Sequence, residues 1–241
     1  MLRIGTAGWT IRREHQDRLA GAGSHLARYA TRFNAVEINS SFYRPHRPAT
    51  YARWARETPD GFSFAVKMPR TVTHNAKLKG AEELLARFLG ECGALGEKLG
   101  CILIQLPPSL VFDAGAAKQF FAGLRETYAG AAALEPRHAS WFTKPAEAML
   151  VRFRIARVAA DPIPAKMAQI GAAAEPGGFQ GFAYRRLHGS PRIYYSDYDD
   201  DFLRALAAHL KVAGRDAWCI FDNTALGYAT QNALALTERL R

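Results

Sequence analysis

Acidic, amide and basic side chains recur in this sequence wherever an apolar, strand-like run comes to an end. They are Glu37 with Asn39, Lys67, Gln105, Glu135 with Arg137 and His138, Asp161, Arg186 with His188, and Asp222 with Asn223. Such groups are costly to bury at strand ends unless they pair with one another or with a ligand. The pattern therefore predicts either a shared functional site or a structural network of ion pairs, and it favours the site.

Five of these residues have side chains suited to proton transfer or nucleophilic attack: Glu37, Lys67, Glu135, Asp161 and His188. Histidine titrates close to neutral pH, so His188 is a candidate general acid or base, and the alternative is a hydrogen-bonded structural histidine. Glu37 and Glu135 could form a carboxylate pair for acid–base work, whereas a Glu37 paired with a buried Arg or Lys would be structural. We predict that these five residues form the catalytic set.

Lys67 ends a strictly alternating stretch, residues 61–67, and we expect it to point to the same side as Glu37. A desolvated lysine can act as a Schiff-base nucleophile. A lysine in this position more often neutralises an inward carboxylate or holds a phosphate, and the sequence favours this second role.

A larger group has side chains suited to holding a substrate. Its aromatic members occur in predicted loops and could stack on a sugar or a base, unless they pack in the core. The predicted binding residues are Trp9, Asn39, Tyr43, His74, Gln105, Arg137, His138, Trp141, Arg186, Tyr195, Asp222 and Asn223.

A divalent metal is a minor alternative for the same region. The side chains of Glu37, Glu135, Asp161, His188 and Asp222 are of the types that bind such ions. No local spacing of the H-E-x-x-H kind supports a metal site, so the cofactor is left open.

The basic charge of the chain is concentrated at its beginning. The formal net charge is +10, and residues 1–80 hold 14 Lys and Arg against 5 Asp and Glu. Such a surplus favours a small anionic or phosphate-bearing substrate, or nucleic acid. The alternative is an arginine-rich, solvated surface without a partner.

Targeting and cysteine signals point to a cytoplasmic protein. The chain has no run of about 18 apolar residues that would predict a membrane span, and a strand-like run directly follows Met1 in place of a secretory leader. Cys92, Cys101 and Cys219 lack the paired spacing of zinc or redox sites, so we expect reduced, buried thiols.

Apolar periodicity predicts eight strands alternating with helices. The strand-like runs are 2–6, 34–39, 61–67, 101–106, 131–135, 155–160, 182–189 and 217–221, and the helical patterns are 24–33, 48–59, 81–99, 114–128, 145–153, 202–212 and 225–240. Residues 163–180 are rich in Ala, Gly and Pro and predict an irregular excursion. Strict alternation indicates a parallel sheet, and eight units fit a single α/β domain, a (β/α)8 TIM barrel over residues 1–241. The alternative is a doubly wound open sheet, but no Gly-rich nucleotide loop follows any strand.

Seven motifs occur in an order that resembles the YecE-like family, domain of unknown function 72. They are Gly5-Thr6-Ala7-Gly8-Trp9, Val36-Glu37-Ile38-Asn39-Ser40-Ser41-Phe42-Tyr43-Arg44, Phe64-Ala65-Val66-Lys67, Thr73-His74, Gln105-Leu106-Pro107-Pro108, Glu135-Pro136-Arg137-His138-Ala139-Ser140-Trp141 and Arg186-Leu187-His188-Gly189. The resemblance covers almost the whole chain and implies a (β/α)8 barrel in a cytoplasmic bacterial-type protein. It implies an outline similar to divalent-metal endonucleases and sugar isomerases, but no established reaction.

Two departures from the family pattern affect the predicted site. The usual aromatic loop after Trp9 is replaced by Thr10-Ile11-Arg12-Arg13-Glu14, and Asp222-Asn223 stands where the family commonly has two consecutive Asn residues. The first changes the rim of the barrel, and the second adds an acid to its mouth.

Taken together, these features predict an enzyme that acts on an anionic, phosphate-bearing substrate at the carboxyl ends of the strands. The basic first third favours hydrolysis of a phosphodiester, as in nucleic acid, over aldol or isomerase chemistry. The alternatives are a non-catalytic nucleic-acid-binding or regulatory barrel, and a metal-free lyase or isomerase acting on a small sugar phosphate.

Overall fold

Parallel strands that alternate with helices make up most of the computed structural model, which describes residues 1–163, 169–214 and 216–241. The strands are β1 (Leu2–Thr6), β2 (Ala35–Ile38), β3 (Ser63–Lys67), β4 (Leu99–Gln105), β5 (Ala132–Glu135), β6 (Ile155–Arg157), β7 (Ala159–Asp161), β8 (Gly177–Gly178), β9 (Ala183–Leu187) and β10 (Ala217–Phe221).

Seven α-helices lie between or after these strands in the described part of the chain. They are α1 (His25–Tyr29), α2 (Pro48–Arg56), α3 (Glu82–Cys92), α4 (Ala114–Thr127), α5 (Lys144–Arg152), α6 (Asp200–Ala213) and α7 (Tyr228–Leu240). No helix within the described ranges is both long enough and apolar enough to cross a bilayer.

Hydrogen bonding arranges the strands in two groups that meet at two junctions. One group has the order β1-β10-β9-β7 and the other β2-β3-β4-β5-β6-β8. At the first junction β6 and β7 are successive segments of one stretch, separated by Val158, whose amide donates to the Leu134 carbonyl at 2.8 Å. At the second, a parallel bridge joins Ala7 to Glu37. Eight parallel strand positions, counting β6 with β7, confirm the predicted (β/α)8 barrel.

The barrel interior has an apolar lower part and a polar upper part. Alternate residues of the strands build the lower part, a buried cluster that includes Ala35, Ala65, Cys101, Leu103, Ala133, Tyr184, Trp218 and Ile220. Two residues farther along several of these strands, the same inward face carries Glu37, Lys67, Glu135, Arg186 and Asp222, all of them buried. The other face of β2, with Val36 and Ile38, packs against the helical layer as predicted. The period of two thus brings the polar residues to one end of the barrel.

Most predicted elements are confirmed, and three helix boundaries are informative. Ser24 caps α1 by accepting a hydrogen bond from the Ala27 amide, and Asp199 caps α6 through the Phe202 amide. The helix predicted over 81–99 ends at Cys92, because a short 3₁₀ segment follows in which Gly96 has a φ of 58°. Strand β4 can therefore begin at Leu99.

The irregular excursion predicted over 163–180 lies partly outside the described residues. Its described part contains a 3₁₀ turn at Gly171–Ala174 and the two-residue strand β8, which pairs antiparallel with β6.

Close contact between β1 and β2 generates a stability prediction. A Cβ atom added at Gly5 would lie 2.0 Å from the Ala35 carbonyl oxygen, so we expect Gly5→Ala to lower the free energy of unfolding by about 3 kcal/mol. Gly123, inside α4, has open space around it, and Gly123→Ala should instead raise that free energy by about 1 kcal/mol. Urea denaturation measures both, and an unchanged midpoint for Gly5→Ala would contradict the close contact.

Candidate active site

The guanidinium of Arg186 is the centre of the polar end of the barrel. Its Nε and Nη2 atoms donate to the two carboxylate oxygens of Glu37, at 3.0 and 2.6 Å. Its Nη1 donates to Glu135 at 2.7 Å, and Nη2 also reaches Asp222 at 2.9 Å. All four residues are buried. One cation on β9 therefore collects acids from three other places around the barrel.

His188 lies next to this cluster, with each ring nitrogen facing a carboxylate. Nδ1 is 3.1 Å from Asp222 Oδ2, and Nε2 is 3.1 Å from Glu135 Oε1. Nε2 is also 3.2 Å from Nη2 of Arg137. Towards Glu135 Nε2 must donate a proton, whereas towards Arg137 it must accept one, so the two contacts belong to different tautomeric or protonation states. The ring of His188 can thus make either contact but not both at once.

Charge pairing keeps two of the acids ionised. Burial alone would raise the pKa of Glu135, but the charges of Arg137 and Arg186 outweigh it, and that pKa lies well below its usual range. For Asp222, too, burial opposes ionisation, while Arg186 and the hydrogen bond to His188 lower its pKa. Both groups are therefore carboxylates at neutral pH.

Lys67 is buried at the same end of the barrel but stands apart from the ion pairs. It is 5% exposed, and within the described ranges its Nζ has neither a hydrogen-bond acceptor nor a carboxylate oxygen within 4.0 Å. The atom lies 4.4 Å from the centre of the Phe42 ring, a cation–π contact. Burial, followed by the repulsion of Arg186, lowers the pKa of Lys67 to about 8, against the opposing charges of Glu37, Glu135 and Asp222. The sequence favours two roles for Lys67, neutralising an inward carboxylate or holding a phosphate. Among the described residues no carboxylate oxygen contacts its Nζ, and the phosphate role stays a prediction.

The loop after β2 holds the ring of Phe42 in place beneath Lys67. The Ser41 hydroxyl lies 2.7 Å from the Lys67 carbonyl and 2.9 Å from that of Ile38, which ties the loop to both β2 and β3. The Phe42 ring also meets His74 edge to face, with ring centres 4.9 Å apart. Burial and the nearby charge of Lys67 lower the pKa of His74, so this ring favours its neutral form.

Arg137 contacts the buried cluster but is itself partly exposed to solvent. Its side chain is 12% exposed, and its Nη2 lies 2.5 Å from Glu135. Among the described residues, Nε is buried without a partner, and no hydrogen bond is donated by Nη1 to an oxygen. The guanidinium is therefore incompletely paired.

Other predicted binding residues lie around this centre without joining it. Trp9 is half-buried and packs edge to face on Trp54, with ring centres 5.0 Å apart, while Tyr43 is 71% exposed. Gln105 is level with Glu135 in the β4–β5 register and half-buried. Asn39 follows β2 and has a buried Oδ1 without a partner in the described part of the chain.

Four predicted site residues have structural surroundings instead. Trp141 is 1% exposed and donates to the Leu110 carbonyl at 2.9 Å, so it belongs to the helical core and does not line the mouth. His138 accepts the Ser140 amide and caps a short helix. Asn223 ties the last loop to the carbonyl of Ser196, and Tyr195 stacks under Arg192.

Asp161 is also separated from the acids with which it was grouped. Its Oδ1 accepts the Tyr198 hydroxyl at 2.8 Å, and that hydroxyl oxygen accepts the Gly189 amide at 2.9 Å. The Asp161 carbonyl in turn accepts the His188 amide. Asp161 therefore anchors the backbone on both sides of His188, so its surroundings suit a positioning role.

Two tyrosines at the site were missed as site residues. The Tyr184 hydroxyl donates to Glu37 at 2.9 Å from the apolar part of the barrel interior. The alternation of β9, which puts Tyr184 on one face with Arg186 and His188, could have identified it from the sequence. Tyr194 meets the His188 ring edge to face, with centres 5.8 Å apart, and is 42% exposed. Burial and the charge of Asp222 raise the pKa of Tyr194. The two neighbouring tyrosines look alike in the sequence, and the structure separates them: Tyr194 has a φ of 71° and contacts His188, whereas Tyr195 stacks under Arg192.

The acids considered as metal ligands converge on a cation of the protein itself. Oxygens of Glu37, Glu135 and Asp222 already accept hydrogen bonds from Arg186. Within the described ranges, no group of three or more His, Cys, Asp or Glu side chains is arranged to hold a metal ion. A divalent ion at this centre would have to displace the guanidinium, so the donor set does not fit one.

The lowered pKa of Lys67 should make the free energy of unfolding depend on pH. Between pH 8 and the ordinary lysine pKa of 10.5, the unfolded chain binds more protons at this position than the folded chain, so stability rises with pH. Below that range the folded chain bears the full cost of the buried charge. We therefore expect Lys67→Met to be more stable than the unmodified protein at neutral pH, and the difference to shrink by about 2 to 3 kcal/mol as this range is crossed.

Urea denaturation of both proteins across this pH range measures the difference, in which the titration of all other groups cancels to first order. A difference that does not change with pH would contradict the lowered pKa of Lys67.

The chain is similar in amino-acid sequence to curated bacterial proteins. It is 33% identical to the UPF0759 protein YecE of Escherichia coli over 107 residues, which cover 44% of this chain and 38% of YecE. It is 30% identical to the UPF0759 protein YunF of Bacillus subtilis over 155 residues, 60% of this chain and 54% of YunF. The matched regions thus span between about two fifths and about half of these curated relatives.

Solved structures show the same fold. DUF72 family proteins from Thermotoga maritima and Enterococcus faecalis superpose with TM-scores of 0.76 and 0.79, at 24% and 19% identity, over 100% of this chain and 99% and 95% of theirs. An L-ribulose 3-epimerase superposes with a TM-score of 0.55 at 15% identity, over 100% of this chain and 92% of the epimerase.

An AP endonuclease of family 2 from Brucella melitensis has a TM-score of 0.53 at 13% identity, over 95% of this chain and 96% of the endonuclease. At these identities the likeness concerns the barrel alone. The sequence model of the family described as "Protein of unknown function DUF72" matches residues 3–241, and the chain belongs to this family.

Proposed function

We propose that the chain is an enzyme that acts on a small anionic, phosphate-bearing substrate bound at the mouth of the barrel. The observation that carries this proposal is the incompletely paired guanidinium of Arg137, which is 12% exposed and has an Nε without a partner among the described residues, while its Nη2 pairs with Glu135. A phosphate group offers the oxygen acceptors that such a guanidinium lacks. The ammonium of Lys67 adds positive charge nearby, and no acid among the described residues is in direct contact with it.

Proton transfer at this site is assigned to His188. Asp222 and Glu135 orient the ring, and Arg137 links its Nε2 to the mouth. Glu37 has both oxygens engaged by Arg186 and Tyr184, and we assign it a positioning role. The proposed reacting residues are therefore Lys67 and His188, and Arg137 is the proposed anion-binding residue.

A matched pair of arginine variants tests the anion site. We expect inorganic phosphate and ribose 5-phosphate to raise the melting temperature by several degrees, whereas ribose should not, because ligands stabilise the state that binds them. Arg137→Gln should abolish this shift. Arg185→Gln should keep it, since Arg185 has the same side-chain exposure of 12% but pairs with Glu175 away from the mouth.

Differential scanning fluorimetry measures these shifts. An equal shift in Arg137→Gln and in the unmodified protein would contradict the proposed anion site.

A phosphodiester in single-stranded nucleic acid is the second candidate substrate. It is favoured by an aromatic and basic surface made of Tyr43, Arg44 and Arg70, all exposed, beside a cavity of about 170 Å³ that they help to line. Stacking on an aromatic ring combined with arginine contacts to the backbone is the usual way to bind a single strand.

Fluorescence anisotropy with a labelled single-stranded oligonucleotide tests this candidate. We expect binding that weakens steeply with salt, a loss of about 1 to 3 kcal/mol in Tyr43→Ala, and near-normal binding in Tyr43→Phe, which keeps the ring. Binding without cleavage would favour a non-catalytic module, and no binding would remove nucleic acid as a substrate.

A further inference from the structure

The amine of Lys67 lies at the polar end of the barrel but outside its ion pairs. A lysine in a structural network normally ends on carboxylates or carbonyl oxygens. Within the described ranges Nζ of Lys67 has neither, and its close contact is the face of Phe42 at 4.4 Å. The backbone on both sides of it is fixed, because Ser41 bonds the Lys67 carbonyl and the strand pairs with β2 and β4. The structure therefore holds the amine in place while leaving its nitrogen free.

Lys98 provides a comparison within the same chain, because its amine is fully used in structural hydrogen bonds. Its Nζ donates to the carbonyls of Ala55 and Thr58, at 2.6 Å each, and approaches the Thr58 hydroxyl at 3.3 Å. Those bonds join α2 to the turn before β4 and give Lys98 a structural role. Lys67 has no comparable role in the described part of the fold.

We propose that Lys67 forms an imine with the carbonyl group of its substrate, an aldehyde or ketone that also carries a phosphate or carboxylate. The inference rests on the proposed anion site, since Arg137 would hold the charged group and so present the carbonyl to Lys67. It selects carbonyl chemistry from among the reactions compatible with an anionic substrate.

The surroundings suit both the amine and the product of its reaction. Burial and the charge of Arg186 lower the pKa of Lys67 to about 8, so a useful fraction of the amine is neutral and nucleophilic near neutral pH. The protonated imine is again a cation. The charges of Glu37, Glu135 and Asp222, which favour the ammonium, favour this cation equally, and the face of Phe42 remains its neighbour.

The reaction needs no oxidant, reductant or cofactor. The neutral nitrogen of Lys67 adds to the carbonyl carbon, and a proton passes from that nitrogen to the carbonyl oxygen, which becomes a hydroxyl. The proton that the ammonium released then returns to this hydroxyl, which leaves as water while a C=N bond forms. From ammonium and carbonyl to protonated imine and water, the number of protons is unchanged.

Reductive trapping of the full-length protein tests the proposal. The protein is incubated with dihydroxyacetone phosphate or pyruvate and sodium cyanoborohydride, which reduces a protonated imine to a stable secondary amine, and the adduct is located by peptide mass spectrometry. We expect one adduct per chain, on Lys67, formed at least about ten times faster than on any other lysine at pH 7.5. Dihydroxyacetone, which lacks the charged group, should label Lys67 much more slowly.

Variants assign the adduct to the site. Lys67→Arg keeps a cation but cannot form an imine, so its adduct should disappear, whereas Lys98→Arg should be labelled like the unmodified protein. Arg137→Gln should slow trapping several-fold, and inorganic phosphate should protect Lys67 by competition. Site mapping in the unmodified protein decides the outcome even if Lys67→Arg fails to fold.

Two results separate this inference from the proposed function. Stabilisation by phosphate that depends on Arg137, without preferential labelling of Lys67, would overturn the imine and leave the anion site standing. Labelling of Lys67 that is the same for dihydroxyacetone and its phosphate, without stabilisation by phosphate, would support the reactive amine and overturn the anion site. Labelling spread evenly over all lysines, with no stabilisation, would overturn both.

Discussion

The pairing of Arg186 with Glu37 across the barrel is the interaction on which the rest of the site depends. The two residues are 149 positions apart, and neither is exposed to solvent. A buried guanidinium has five N–H donors, and each one left without an acceptor would be costly. Glu37 satisfies two of them through both of its oxygens, while Glu135 and Asp222 supply further acceptors. The need to satisfy one cation therefore dictates where three acids lie.

The attraction within a buried ion pair offsets little more than the free energy lost when the two charges leave water. We therefore assign this cluster a role in positioning side chains and only a small contribution to stability. Tyr184 supports Glu37 from the apolar half of the barrel, and Asp161 with Tyr198 anchors the backbone around His188. His188 consequently lies between two fixed carboxylates and the partly free guanidinium of Arg137. The ion-paired residues at the polar end of the barrel are thus held by several contacts each, while Arg137 is partly exposed.

Because Arg186 binds the inward carboxylates, Lys67 has an unusual environment and a lowered pKa. The inward acids lie closest to Arg186, and Lys67 feels their charge only at a distance, while Arg186 repels it. An aromatic face replaces a carboxylate as its nearest neighbour. A cation in this position is poorly stabilised, which is the condition under which a lysine becomes a nucleophile. The lowered pKa of Lys67, which supports carbonyl chemistry, thus follows from the pairing of the three inward acids with Arg186.

Local periodicity in the sequence was sufficient to determine the barrel and the direction of most site residues. A period of two places Glu37, Lys67 and Arg186 on inward faces whatever the neighbouring strands are, and alternation with helices requires parallel strands that end at one mouth. The sequence could not show which acid meets which cation, because those distances depend on strand register and on how the sheet curves. Trp141 and Tyr43 are both loop aromatics in sequence, yet one is buried and the other 71% exposed. The packing of loops against the helical layer decides that difference. It also decides that Asp161 binds Tyr198 and that no acid in the described part of the chain contacts Lys67. Each outcome requires groups far apart in the chain to compete for the same partner.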